Sequence, residues 1–308
     1  MMYFWRLIFS VLLCFSLISF TPSANSLPVN NQEITASDWF KLGVNQMQQG
    51  NFPAAIEYLN LAIKMQNEFI AAYKNRCLAN LEIEDYQQAI TDCTQALNLD
   101  PKDSDAYLNR GLAKYRKGNY LDAIADFNQV IAIKPNDFRA YYNRGIVSAE
   151  QGNYSQAIID YNLALTQINP NNPTDNVLLA DIYNDRGLAY FQLQNLPEAM
   201  NNFNLAIRLN TDDERAYFNR GCICGRSGDN MGAMQNFSQV IRLNPSNAQA
   251  YLNRGVANYN LGYHQRAIAD LQTASQFFAN QEQTLAYQRT LDLLKTVQQQ
   301  ISLALEVA

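Results

Sequence analysis

The chain has 308 residues, 48% of them hydrophobic and 17% charged, with a net charge of −5. That composition belongs to a folded protein with enough material for one large domain or an elongated array. The acidic balance excludes the basic stripe that nucleic acid demands, and the single histidine, His264, leaves little for zinc sites or imidazole acid–base chemistry.

Taken in chain order, the first element is a leader. Arg6 precedes the apolar run LIFSVLLCFSLISF (7–20), and TPSANS follows. A basic start, an apolar stretch of this length and the small residues Ala24 and Ser26 predict a signal peptide over 1–26, cleaved after Ser26. The run is short for a span, which takes about 20 apolar residues. Two alternatives stay open: an uncleaved membrane anchor formed by 7–20, and lipid modification at Cys14, where Leu13 occupies a position that such sites keep small. All three place the rest of the chain outside the cytoplasm, as an exported protein (periplasmic, lumenal or secreted). Residues 27–35 read as a polar linker.

From residue 36 the chain repeats itself. AYLNRG stands at 106–111 and again at 250–255, with AYYNRG at 140–145 and AYFNRG at 216–221. The aromatic residue of this phrase recurs as Trp39, Tyr73, Tyr107, Tyr141, Tyr183, Tyr217 and Tyr251, at spacings of 34, 34, 34, 42, 34 and 34. Such a period marks a solenoid of helix–turn–helix units. Counting the residue three before the aromatic as position 1, the units are 36–69, 70–103, 104–137, 138–171, 180–213, 214–247 and 248–281, with an insertion at 172–179.

Position 20 is alanine in every unit, and position 8 is glycine in every unit except the second, which has Cys77. Small residues held this strictly predict two helices crossing closely, with the bulkier position 24 (Leu59, Phe127, Tyr161, Phe203, Phe237) filling the space beside them. Turn signals such as QGN (49–51) and KGN (117–119) separate the halves, and Pro101, Pro135 and Pro245 stop the second helix at position 32. Each unit therefore reads as helix A (positions 1–14) and helix B (positions 17–31). Because TDNVLLADIYNDRGLAY runs on without a breaker, the insertion is expected to lengthen the fifth helix A. Beyond the units, Tyr287, Leu291, Leu294, Val297, Ile301 and Leu305 line one side of a predicted capping helix within 282–308.

These features resemble the tetratricopeptide repeat family over 36–281, with good agreement at positions 8, 20, 24 and 27 and departures at 7 and 11. The resemblance implies an all-α, right-handed superhelical α-solenoid of seven units plus the capping helix, working as a protein-binding scaffold. Where the family has leucine at position 7, this chain has Arg76, Arg110, Arg144, Arg186, Arg220 and Arg254. Position 23 carries Asp92, Asp126, Asp160, Asn202, Asn236 and Asp270, whereas the unit with Leu42 has Tyr58 there. The two columns change together, which predicts structural Arg–Asp/Asn pairs between helices A and B.

The resemblance also implies a concave groove that holds a peptide segment with apolar anchors. Its candidates are Lys74, Asn75, Asn109, Arg139, Tyr142, Asn143, Phe218, Asn219 and Asn253; asparagine suits peptide backbone because it donates and accepts at once. Some relatives clamp a terminal carboxylate; Lys74, Asn109 and Arg139 match that clamp, and Leu78 and Asn143 do not. Cys77 and Cys93, at positions 8 and 24 of one unit, form either a disulfide or two buried thiols. No P-loop, nucleophile elbow, histidine cluster or metal-ligand set is present in the sequence, and no catalytic residue, metal or cofactor is expected. The resulting expectation is a non-catalytic scaffold for a protein or peptide partner in assembly of a membrane or envelope complex. It meets no nucleic acid, and a membrane only through an uncleaved leader. The alternative is a self-associating structural protein joined through its C-terminal helix.

Overall fold

The computed structural model describes residues 34–169 and 172–307, with side chains as far as residue 300. The expected leader, Cys14 and most of the linker lie outside the described residues, as do the side chains of Ile301 and Leu305. Every described regular element is helical: α1 (Ala36–Gln48), α2 (Phe52–Met65), α3 (Ile70–Glu82), α4 (Tyr86–Leu99), α5 (Ser104–Arg116), α6 (Tyr120–Ile133), α7 (Phe138–Glu150), α8 (Tyr154–Thr166), a 3-10 turn (Pro173–Asp175), α9 (Asn176–Gln192), α10 (Leu196–Leu209), α11 (Glu214–Arg226), α12 (Asn230–Leu243), α13 (Ala248–Asn260), α14 (His264–Asn280) and α15 (Thr284–Val307). The described residues divide into two compact units, one ending at Ala113 and the other starting at Lys114. Within each, helices pack in consecutive A/B pairs.

Local chemistry sets the helix ends. Thr35 and Asp38 close a capping box on α1. Asp85, Asn153, Asn195 and Asp229 accept from the first-turn amides of α4, α8, α10 and α12, satisfying donors that a helix start leaves free. The A-to-B turns need one left-handed residue. Gly118 provides it at φ +87°, but Glu84 and Gln194 hold the same place at +64° and +61°. Those two units lack the glycine that marks the turn in their neighbours.

The A/B crossings explain the small column. A Cβ built on Gly145 would stand 2.7 Å from Tyr161, and on Gly187 2.7 Å from Phe203, so any larger residue would drive the helices apart. In the second repeat the crossing is covalent: Cys77 and Cys93 are joined by a disulfide that ties α3 to α4. The position-20 alanines Ala55, Ala89, Ala123, Ala157, Ala199, Ala233 and Ala267 are all buried against their crossings.

The extra residues before α9 become a 3-10 turn capped by Asn172 and one further turn of helix, making α9 17 residues long. Leu178 and Leu179 bury that extension. At the other end α15 covers α14: Phe278 packs with Ala286 and Tyr287, and Thr290 and Val297 are buried.

Candidate functional site

Two sets of polar side chains stand out: a ladder of arginines between helices, and a group on the facing sides of α7, α9 and α11. The ladder begins with the long arginine stem, which crosses apolar surface and leaves five donors at its tip. Arg144 Nε and Nη2 donate to the carboxylate of Asp160 at 3.0 and 2.6 Å, and Asp160 is 0% exposed. Arg76 takes Asp92 and Arg254 takes Asp270 in the same bidentate way. Each guanidinium also lies over the aromatic ring three residues earlier; Arg144 is 5.7 Å from the Tyr141 centroid.

The remaining donor, Nη1, reaches backward to helix B of the preceding repeat. Arg76 meets Asn60 at 2.6 Å, Arg110 meets Thr94 at 3.2 Å, and Arg144 meets Asn128 at 2.6 Å. Arg186, Arg220 and Arg254 meet Asn162, Asn204 and Ser238. Arg76, Arg144, Arg186, Arg220 and Arg254 are therefore each a rung joining three helices. The column of Asn, Thr and Ser at position 25 announces these acceptors in the sequence, and only its side of the contact was left unread there.

The lone pair that the guanidinium leaves over on the carboxylate explains position 11. Asn80 donates to Asp92 at 3.0 Å, Asn258 donates to Asp270 at 2.9 Å, and Lys114 pairs with Asp126 at 2.7 Å. In the fourth repeat Gln156 provides the donor to Asp160. Where position 23 is asparagine, its NH2 turns back to its own helix: Asn202 donates to the Glu198 carbonyl and Asn236 to that of Gly232. Arg186 then faces an amide in place of a carboxylate, and burial lowers its proton affinity.

The groove candidates fall into different surroundings. In the first unit Lys74 pairs with Asp103 at 2.6 Å, and Asn75 donates to the Ala71 carbonyl of its own helix. Asn109 is half-buried. In the second unit Arg139 is held by Asp137, the residue that caps α7. Tyr142 and Asn143 are only 7% and 5% exposed, so neither is an open groove residue. Tyr142 gives its hydroxyl to Asp185 at 2.8 Å, and Asn143 donates to the Arg139 carbonyl.

Nearby, Asp181 and Asp213 share Arg215, and Asn219 donates to Asn184 at 3.0 Å. Burial raises the Asp185 carboxyl to about 6 and that of Asp181 in the same direction. Toward the end of the unit, Phe218 stacks edge-on against Phe237, while Val256 on α13 is 38% exposed. Among the described residues no group of His, Cys, Asp and Glu has metal-holding geometry, and no helix is long and apolar enough to cross a membrane.

Family profiles described as tetratricopeptide or TPR repeats match residues 39–69, 75–138, 108–173, 187–228, 223–262 and 248–277. The chain is a tetratricopeptide repeat protein. This family typically builds non-catalytic protein–protein interaction scaffolds, and the helix pairs described above are its repeats. Among curated relatives, the mitochondrial import receptor subunit TOM34 of Pongo abelii is 33% identical over 82 residues, 27% of this chain. The aligned part spans 26% of the length of that protein. A tetratricopeptide repeat protein from Parabacteroides merdae superposes with a TM-score of 0.62 at 20% identity, covering 83% of this chain and 98% of that one. Pseudomonas aeruginosa pilF gives 0.62 at 18% identity, covering 73% and 98%. At these identities the two structures report shared fold.

Proposed function

We propose that this repeat protein holds an extended segment of a protein partner against α11 and α13, outside the cytoplasm, during assembly of a membrane or envelope complex. One observation carries the reading. Half-buried Phe218 and Leu252 and exposed Val256 offer apolar anchors on α11 and α13, and the amides that follow Phe218 and Leu252 in sequence each have one half unspent. Asn219 uses its NH2 on Asn184, and Asn253 uses its oxygen on Gln249. An acceptor and a donor beside apolar anchors are what an extended backbone needs. The similarity to part of an import receptor subunit agrees with a protein ligand. The leader-like sequence at 7–20 and the Cys77–Cys93 bond both favour an oxidising compartment.

A photo-crosslinking amino acid at position 256 in cells should trap a defined partner, and the Phe218→Ala and Asn219→Ala changes together should abolish the trapping. The same probe at Ile159, exposed on α8, should not give that product. Equal yields at 256 and 159, or trapping that survives the double change, would reject this surface. Amino-terminal sequencing of exported protein should begin at Leu27; a cytoplasmic protein that keeps its Met1 would reject the location.

A further inference from the structure

The sixth place of the other A helices holds Lys41, Asn75, Asn109, Asn143, Asn219 and Asn253; only α9 puts a carboxylate there, Asp185. Hydrogen bonds converge on this half-buried group. The Tyr142 hydroxyl of α7 donates to it at 2.8 Å, and the Asn184 amide donates to its other oxygen at 3.4 Å. Asn184 in turn receives the Asn219 amide of α11 at 3.0 Å. Each of these donors points toward Asp185, so the belt linking α7, α9 and α11 favours the ionised form.

Elsewhere in the fold such a charge is matched. The buried Asp92, Asp126, Asp160, Asp213 and Asp270 each hold an arginine or a lysine. Asp185 forms no ion pair among the described residues: Arg215 is bonded to Asp181 and Asp213, and Arg139 to Asp137. Asparagine would suit this place, as it does on α7 and α11, without leaving a charge unmatched. A residue that breaks its column at a cost in stability marks a place kept for function. We propose that Asp185 is the seat of a cationic side chain, lysine or arginine, carried by the bound segment. The seat rests on the reading above that a segment is held, and it gives that segment its charge.

The surroundings suit such a side chain. Tyr142 stands against the carboxylate, and Tyr115 of α5 and Tyr161 of α8 lie within range of its charge. Burial first, and then nearby charge that includes Asp185 and Glu150, raises the phenols of Tyr115 and Tyr161. Neutral rings of this kind accept an aliphatic stem and the face of a cation. Glu150, exposed on α7, adds a second negative charge. The hydrogen-bonded belt leads from Asp185 to Asn219, the neighbour in sequence of the Phe218 anchor. Packed helices lie roughly 10 Å apart, which about three extended residues span. The cation therefore belongs about three residues from the residue that meets Phe218.

Carboxyl NMR of the whole protein at pH 7.5, titrated with Nα-acetyl-arginine amide, tests the seat. The Asp185 signal, assigned through its own backbone resonances, should shift saturably. Nα-acetyl-norleucine amide, which keeps an aliphatic stem and lacks the charge, should bind there at least about tenfold more weakly. No shift at Asp185 with the arginine amide, or equal affinity for the two amides, would overturn the proposal. In cells, Asp185→Asn should lower trapping at position 256 about tenfold, and unchanged trapping would also overturn it. Asn143 and Asn219 occupy the equivalent places in α7 and α11, so that variant suits the fold; should it fail to fold, the two amides on the native protein decide. The two readings fail separately. A native protein that traps nothing at position 256 rejects the α11–α13 surface, whereas the response of Asp185 to the arginine amide is read without it.

Discussion

Replacing Arg144 with leucine restores the family's own residue at that place and should still be severely destabilising. The change strips Asp160, 0% exposed, of its bidentate partner and leaves only the 3.3 Å bond from Gln156. Breaking a buried ion pair from one side costs about 3–5 kcal/mol, because the remaining charge is uncompensated. The lost bond from Nη1 to Asn128 adds about 1 kcal/mol, the usual net value of a hydrogen bond near the surface. The first repeat holds the natural remedy: Leu42 at the same place goes with Tyr58, whose ring stacks on Trp39 at 5.8 Å. Grafting that pair as Arg144→Leu with Asp160→Tyr should return at least about 2 kcal/mol, with the new ring lying against Tyr141. Urea unfolding followed by far-ultraviolet circular dichroism gives both values. A single change costing under about 1 kcal/mol, or a double change as poor as the sum of its parts, would refute the account of the ladder.

Other outcomes can be checked in the same way. Glu84→Gly and Gln194→Gly should each stabilise the protein by about 0.5–1 kcal/mol, since both residues occupy a left-handed conformation that costs glycine nothing; thermal unfolding reads this directly. Reducing the Cys77–Cys93 bond, which spans 16 residues of sequence, should cost about 3 kcal/mol by loop-closure entropy, visible as a lower unfolding midpoint in dithiothreitol. Asp185→Asn should raise stability at pH 7.5 by up to about 3 kcal/mol and leave it unchanged near pH 4. The raised carboxyl destabilises the folded state progressively as the pH climbs from 3.8 to about 6, with the full effect present above that, so equal effects at both pH values would contradict its assigned environment.

What could be read in the sequence was whatever recurs. The crossings were legible because alanine, glycine and a bulky residue keep their columns in repeat after repeat, and packing at that density admits little else. The Arg–Asp pairs were legible because Leu42 and Tyr58 change together. Position 25 was equally columnar, yet an asparagine on a helix surface suggests solvent until its partner in the next repeat is seen. The setting of Asp185 could not be read: Tyr142 lies 43 residues away, and an arrangement that occurs once forms no column. Nor did the turns at Glu84 and Gln194 declare themselves, because the glycine that signals such a turn is missing from both.

The rung at Arg186 reaches Asn162 across 24 residues, whereas its counterparts span 16, and it still meets the same kind of acceptor. What such a contact gauges is which helices are neighbours, and the chain length between them is immaterial to it. The α8–α9 connection is accordingly a natural splice point: foreign sequence introduced there would lengthen a tether without asking any rung to move.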